Sequence, residues 1–294
     1  MRSPSGRRIA SRSGRPASRA VRLLAALSSL VALLPVACGA QAEEPVVEEH
    51  LEPLTLHPAF TLTTDDLERL LGRVPEGPAK AIRANPHGFL AHLDEVLEAP
   101  ADLTILVDKD NPLPENYAPA DLVDLDELAG ELVLSRAGHR LRHTATEALR
   151  QMSAEAGAAG VTLMVSSAYR SYAYQADVYA RWVAQLGRAM ADRVSARPGM
   201  SQHQLGTAVD FGCICREFAD QPAGIWLAEN AYRFGYSLSY PEDYEHITGY
   251  LYEPWHWRYV GRAAAALEHE YFGGIQQYML EFLARNRAAL SAAR

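Results

Sequence analysis

Two short stretches hold the residues best suited to chemistry: Ser201-Gln202-His203-Gln204-Leu205-Gly206-Thr207-Ala208-Val209-Asp210, and Glu253-Pro254-Trp255-His256-Trp257-Arg258-Tyr259. Between them they supply two imidazoles, a carboxylate at Asp210 and a further acid at Glu253. Donors of this kind bind zinc, and three protein ligands leave the fourth position of a tetrahedral ion open, as a hydrolytic site requires. Water bound there has its pKa lowered to about 7 and becomes a nucleophile at neutral pH. His203, Asp210 and His256 are therefore expected to hold Zn2+. Glu253 cannot be both ligand and base, so it is expected to carry the proton.

These residues must be brought to one place by the elements that hold them. The small-residue run from Leu205 to Val209 suits a buried strand with close backbone approach, which would carry His203 and Asp210 to one site. In the second stretch a regular strand would point Glu253 and His256 to opposite faces, since positions three apart have opposite parity. Pro254 interrupts the ladder and permits a turn that lets both face the metal.

The S-x-H-x-x-G-x-A-x-D and E-x-W-H-x-R-Y patterns resemble those of the VanY-like D-alanyl-D-alanine carboxypeptidases, zinc peptidases that trim peptidoglycan stem peptides. Leu106-Val107-Asp108-Lys109 with Leu113-Pro114-Glu115-Asn116-Tyr117-Ala118-Pro119 resembles the segment that leads into the family's catalytic domain. Ser166-Ser167-Ala168-Tyr169-Arg170-Ser171-Tyr172-Ala173-Tyr174-Gln175 resembles its substrate-binding segment. The likeness runs from about Leu103 to about Gly261 with the motifs in order. It implies substrate binding by Arg170, Gln175 and Ser201, with Arg170 also stabilising charge at the reacting carbonyl or holding the terminal carboxylate.

Residues 1–37 hold seven arginines and no acid, and the apolar run Val21 to Val36 follows the basic start. This is the pattern of a secretory signal. Cys38 stands where a lipoprotein's acylated cysteine would, although Pro35 occupies a place usually held by Leu; cleavage after Ala42, at Ala40-Gln41-Ala42, is the alternative. Without residues 1–37 the chain has 21 basic and 36 acidic residues, a net charge of −15. Such a balance argues against nucleic acid and against a polybasic grip on membranes. The chain is thus expected to be exported, periplasmic or at the cell surface, with a possible lipid anchor at Cys38. Cys213 and Cys215 are too cramped in sequence to suggest a disulfide, and they read as small packed thiols on one side of a strand.

Residues 38–58 are acidic and proline-bearing and read as a tether. Residues 59–100 read as a helical extension, with a capped helix from Thr64 and a second pattern from Pro78 to Leu97 that breaks near Pro86-His87-Gly88. Residues 101–294 are expected, from the resemblance, to form the zinc carboxypeptidase domain. Within it, strands are expected at Leu103 to Val107 and at Val161 to Val165. Helices are expected at Arg136 to Met152, with His139 and His143 on an exposed face, at Tyr174 to Leu186, and at Ile225 to Phe234. Two Ala-rich helices divided near Gly273-Gly274 complete the chain.

The fold class expected is α+β: a small, mainly antiparallel sheet carries the zinc site, flanked by helices and preceded by a helical extension. The expected function is removal of C-terminal D-Ala from peptidoglycan stem peptides. The alternatives are L,D-carboxypeptidase action on tetrapeptide stems and a non-catalytic wall-binding module; the latter would have no need of Glu253.

Overall fold

The computed structural model describes residues 55–294. The expected signal at 1–37, the acylation site at Cys38 and most of the tether at 38–58 lie outside the described residues.

Thr63 starts the first helix, α1 (Thr64–Leu71), through a capping box in which Thr63 Oγ1 accepts from the Asp66 amide while the Asp66 carboxylate accepts from the Thr63 amide. The pattern from Pro78 to Leu97 divides at Asn85 into α2 (Glu76–Ala84) and α3 (Pro86–Glu98). Asn85 caps α3 by accepting from the Gly88 amide, and Pro86 occupies the first turn, where its missing N–H costs nothing. At the other end of the chain run α9 (Arg262–Tyr271) and α10 (Gln276–Ala293). Leu71, Ile82, Phe89 and Leu93 bury their side chains against Leu267, Phe272 and Phe282. Residues far apart in sequence thus share one helical core.

The strands are β1 (Leu122–Asp124), β2 (Val133–Leu134), β3 (Arg140–Arg142), β4 (Met164–Ser167), β5 (Ala208–Phe211), β6 (Tyr236–Leu238) and β7 (His256–Tyr259). β1 pairs with β3 alone, and the main sheet has the order β2-β4-β5-β7-β6. All its pairs are antiparallel except β2 with β4. The fold is therefore α+β with a small, mainly antiparallel sheet. The remaining helices are α4 (His143–Ala158), α5 (Tyr172–Leu186), α6 (Arg188–Val194), α7 (Pro222–Asn230) and the single turn α8 (Glu245–Thr248). Leu149 and Met152 of α4 and Leu227 of α7 cover the sheet residues Val165, Val209 and Phe211.

Several expectations are corrected. Leu103 to Val107 is not a strand: a 3-10 turn over Ala101–Thr104 leads into irregular backbone. The carbonyls of Leu103 and Ile105 instead accept from the buried Arg258 guanidinium at 3.0 and 2.8 Å, so a side chain replaces the ladder. The helix expected from Arg136 begins only at His143, because Arg140–Arg142 pairs with β1. His139 is buried in the loop before β3 and shares no helix face with His143. Cys213 and Cys215 are joined as a disulfide rather than packed as free thiols. The strand ends at Phe211, and a bend at Ile214 brings the two Cα atoms to 5.2 Å, within bridging range.

Candidate active site

His203 does not sit on a strand. It occupies a 3-10 turn, Gln202–Leu205, which Gly206 ends in the left-handed conformation at φ 69° before β5 begins at Ala208. A Cβ at position 206 would lie 2.8 Å from Leu122 Cδ2, so glycine is required both by backbone and by space. The turn is tied down by Gln204, which is fully buried and donates to the carbonyls of Pro114 and Tyr117 at 3.0 and 3.1 Å. The segment leading into the domain is thereby fixed to the site.

Asp210 and His256 are direct partners in the register of β5 and β7, so their side chains rise from the same face. His256 Nδ1 lies 2.9 Å from Asp210 Oδ1, and His203 Nε2 lies 3.2 Å from Asp210 Oδ2. The other nitrogen of each ring is engaged: His203 Nδ1 donates to Ala168 O at 2.6 Å, and His256 Nε2 faces Gln202 Oε1 at 3.3 Å. One donor atom from each of His203, Asp210 and His256 lies within 4.8 Å of the others, and all three residues are buried. His203 Nε2 has no hydrogen-bond partner.

Pro254 and Trp255 form a turn before β7, in which the His256 amide donates to Glu253 O at 3.0 Å. This places Glu253 Oε2 3.9 Å from His256 Nδ1, on the same side as the ligand atoms. The turn expected from Pro254 is what brings the two residues together.

The electrostatics of this group demand a cation. Burial pushes the His203 imidazole down to about 4, with the Arg170 charge adding to it, so the ring is neutral and its Nε2 lone pair is free. Burial alone would raise Asp210, but the imidazoles of His203 and His256 outweigh it and hold the carboxyl well below its usual range. Burial pushes Glu253 well above the ordinary value, the Asp210 charge adds to the shift, and Arg170 opposes it. Two carboxyl groups and two imidazoles in one buried cluster, with an unpartnered nitrogen aimed inward, fit a divalent ion with nitrogen and oxygen ligands.

The cluster opens into a cavity of about 90 Å³ whose lining includes Arg170, Ser201, Tyr240, Glu253 and Trp255. Arg170 follows the end of β4, and its amide donates to His203 O at 3.2 Å. Its buried Nε has no hydrogen-bond partner. Ser201, which is 2% exposed, presents its side chain at the start of the His203 turn. Gln175 stands behind the cavity wall rather than among the lining residues. It is buried in α5 and donates to Ala196 O at 2.6 Å, so it braces the Ser195-Ala196 wall from behind.

Three features of the site escaped the sequence reading. Tyr240 packs its ring 4.9 Å from that of His256. Ile214, held between the bridged cysteines and 54% exposed, lines the cavity mouth. Gln202 touches His256 from behind. Nothing in the local pattern marks Tyr240 or Ile214, and the place of Gln202 beside His203 does not by itself show which ring it meets.

The family model described as VanY, D-alanyl-D-alanine carboxypeptidase, matches residues 138–262. YodJ of Bacillus subtilis, named as a carboxypeptidase, is 35% identical over 192 residues, covering 63% of this chain and 69% of that protein. The chain belongs to the VanY-like family. A D-alanyl-D-alanine carboxypeptidase of Enterococcus faecalis is 35% identical over 56% of this chain and 62% of its own length. Among solved structures, the LdcB LD-carboxypeptidase superposes with a TM-score of 0.55 at 34% identity, covering 60% of this chain and 84% of that one. A mutant of the vancomycin-resistance D,D-pentapeptidase VanY from a VanB-type cassette, solved with Zn(II), gives 0.52 at 33% identity and covers 61% and 99%. The matched segment of this VanY-like chain contains the clustered His203, Asp210 and His256, and Glu253.

Proposed function

We propose that the chain is a zinc-dependent D-alanyl-D-alanine carboxypeptidase that removes the C-terminal D-Ala from peptidoglycan stem peptides. The observation that carries this reading is the convergence of His203 Nε2, Asp210 and His256 Nδ1, with Glu253 3.9 Å from the last. VanY-like structures bearing Zn(II) or D-alanine-D-alanine support it.

Zinc held by His203, Asp210 and His256 supplies a Lewis acid that polarises the scissile carbonyl and acidifies water. Glu253, raised by burial, takes the proton from the attacking water and delivers it to the leaving amine of D-Ala. Arg170 offers its guanidinium to the negative charge on the substrate, either the terminal carboxylate or the carbonyl oxygen as charge develops there. Ser201 adds a hydroxyl to the same cavity, and Gln175 keeps the Ser195-Ala196 wall in place. A second cavity of about 180 Å³ shares Ser195 and Tyr250 with the first and is lined by Lys109, Asp192 and Arg197. It provides polar ground for the rest of the stem peptide.

The basic and apolar start of the chain and Cys38 support export and lipid attachment. Among the described residues no helix is long and apolar enough to cross a membrane.

The test is incubation with muropeptides ending in pentapeptide and in tetrapeptide, with mass spectrometry following the loss of alanine. Loss from the pentapeptide is expected. Loss from the tetrapeptide alone would assign the L,D reaction, and loss from neither would favour a binding module.

A further inference from the structure

A buried chain of amides runs from the metal cluster to the C-terminal helix. Gln202, Ser237, Ser239, His256 and Gln276 are each at most 3% exposed. Ser237 belongs to β6, and Gln276 is the first residue of α10, beyond the segment 138–262 that the family model matches.

The hydrogen bonds in this chain have a direction. Ser237 O is a backbone carbonyl and can only accept, so the Gln276 group facing it, 3.3 Å away, is Nε2. Gln276 Nε2 also lies 3.0 Å from Ser237 Oγ and 3.2 Å from Ser239 Oγ. Gln276 Oε1 must then point the other way, where it accepts from Gln202 Nε2 at 3.2 Å. Gln202 Oε1 is left to face inward, accepting from Ser239 Oγ at 2.7 Å and lying 3.3 Å from His256 Nε2. An acceptor at that position requires the imidazole to carry a hydrogen on Nε2. With Nε2 committed to Gln202, Nδ1, which lies 2.9 Å from Asp210 Oδ1, is the nitrogen left to zinc.

We infer that Gln276 is a positioning residue for the metal centre: through Gln202 it fixes which nitrogen of His256 is offered to zinc. Without it, the Gln202 amide is free to turn over and present its NH2 to Nε2, which would favour hydrogen on Nδ1 and remove that ligand atom. The inference rests on the zinc reading of the triad. It adds that the helix at the end of the chain, otherwise a packing element, completes the outer shell of the site.

The experiment is a zinc titration of the full chain against a competing chromophoric chelator, for wild type, Gln276→Met, Gln202→Met and the double variant, with melting of the zinc-free proteins run alongside. Gln276→Met should weaken zinc binding about tenfold to a hundredfold, the range for outer-shell partners of metal-bound histidines. In the Gln202→Met background the same change should have no further effect, because its only route to His256 is gone. A purely structural role would instead lower the melting temperature and add equally in both backgrounds. Should Gln276→Met fail to fold, Ser239→Ala, which removes one bond to each amide, is expected to weaken zinc binding in the same direction. Unchanged zinc affinity in the folded Gln276→Met or Ser239→Ala protein, or equal losses in both backgrounds, would overturn the inference. Failure of the wild type to bind zinc would overturn the proposed function instead.

Discussion

Asp210 and His256 stand opposite each other in the register of β5 and β7, with Asp210 Oδ1 2.9 Å from His256 Nδ1. Two of the three candidate ligand residues are thus fixed by backbone pairing, 46 residues apart in sequence. The third, His203, depends on a 3-10 turn held by Gly206 and Gln204. The site is preorganised by strands where precision comes cheaply and by buried hydrogen bonds where the backbone is irregular.

Asp210→Ala should abolish tight zinc binding, since it removes a ligand and the negative charge that balances the ion. Metal analysis after dialysis should find about one zinc per chain in wild type and close to none in the variant. Retention of stoichiometric zinc by Asp210→Ala would remove Asp210 from the ligand set.

Glu268 gives stability a pH dependence away from the metal. It is 4% exposed on α9, and burial raises its carboxyl from the ordinary 4.5 to about 8. Between those values the folded chain keeps a proton that the unfolded chain gives up, so stability falls as pH rises, by up to about 1.4 kcal/mol per unit. Denaturant melts from about pH 5 to about pH 8 should show this slope in wild type and a flatter one in Glu268→Gln. Equal slopes in both proteins would mean that Glu268 ionises normally in the fold.

Removing the Cys213–Cys215 bridge should cost little stability, about 1–2 kcal/mol, because the loop it closes is very short. Its effect should appear in substrate binding, since Ile214 between the two cysteines lines the cavity mouth. A Cys213→Ser/Cys215→Ser variant is expected to raise KM several-fold with a smaller change in kcat, measured by alanine release. A collapse of kcat at unchanged KM would show that the loop shapes the metal cluster itself.

The grouping of His203, Asp210 and His256 with Glu253 beside them was legible in the sequence because their residue types and spacing suit one site, and Pro254 announced the turn that joins Glu253 to His256. The helices around Asn85 and the break at Gly273-Gly274 were legible from caps and breakers. Elsewhere the local signal was overruled by distant partners. Leu103 to Val107 has the composition of a strand, yet the Arg258 guanidinium takes two of its carbonyls from more than 150 residues away. Gln175 lies in a motif that implies substrate contact, and nothing local shows that its buried amide also holds the carbonyl of Ala196. Gln276 carries no pattern at all: its meaning depends on Gln202, 74 residues earlier, and on the carbonyl of Ser237.

The division of labour between ligands and base is tested most directly by measuring zinc content and D-Ala release side by side in wild type and Glu253→Gln. The variant should hold as much zinc as wild type and release D-Ala from a pentapeptide stem about 10²- to 10⁴-fold more slowly, the range for loss of a general acid–base group. Undiminished release by Glu253→Gln, or loss of its zinc, would contradict the account.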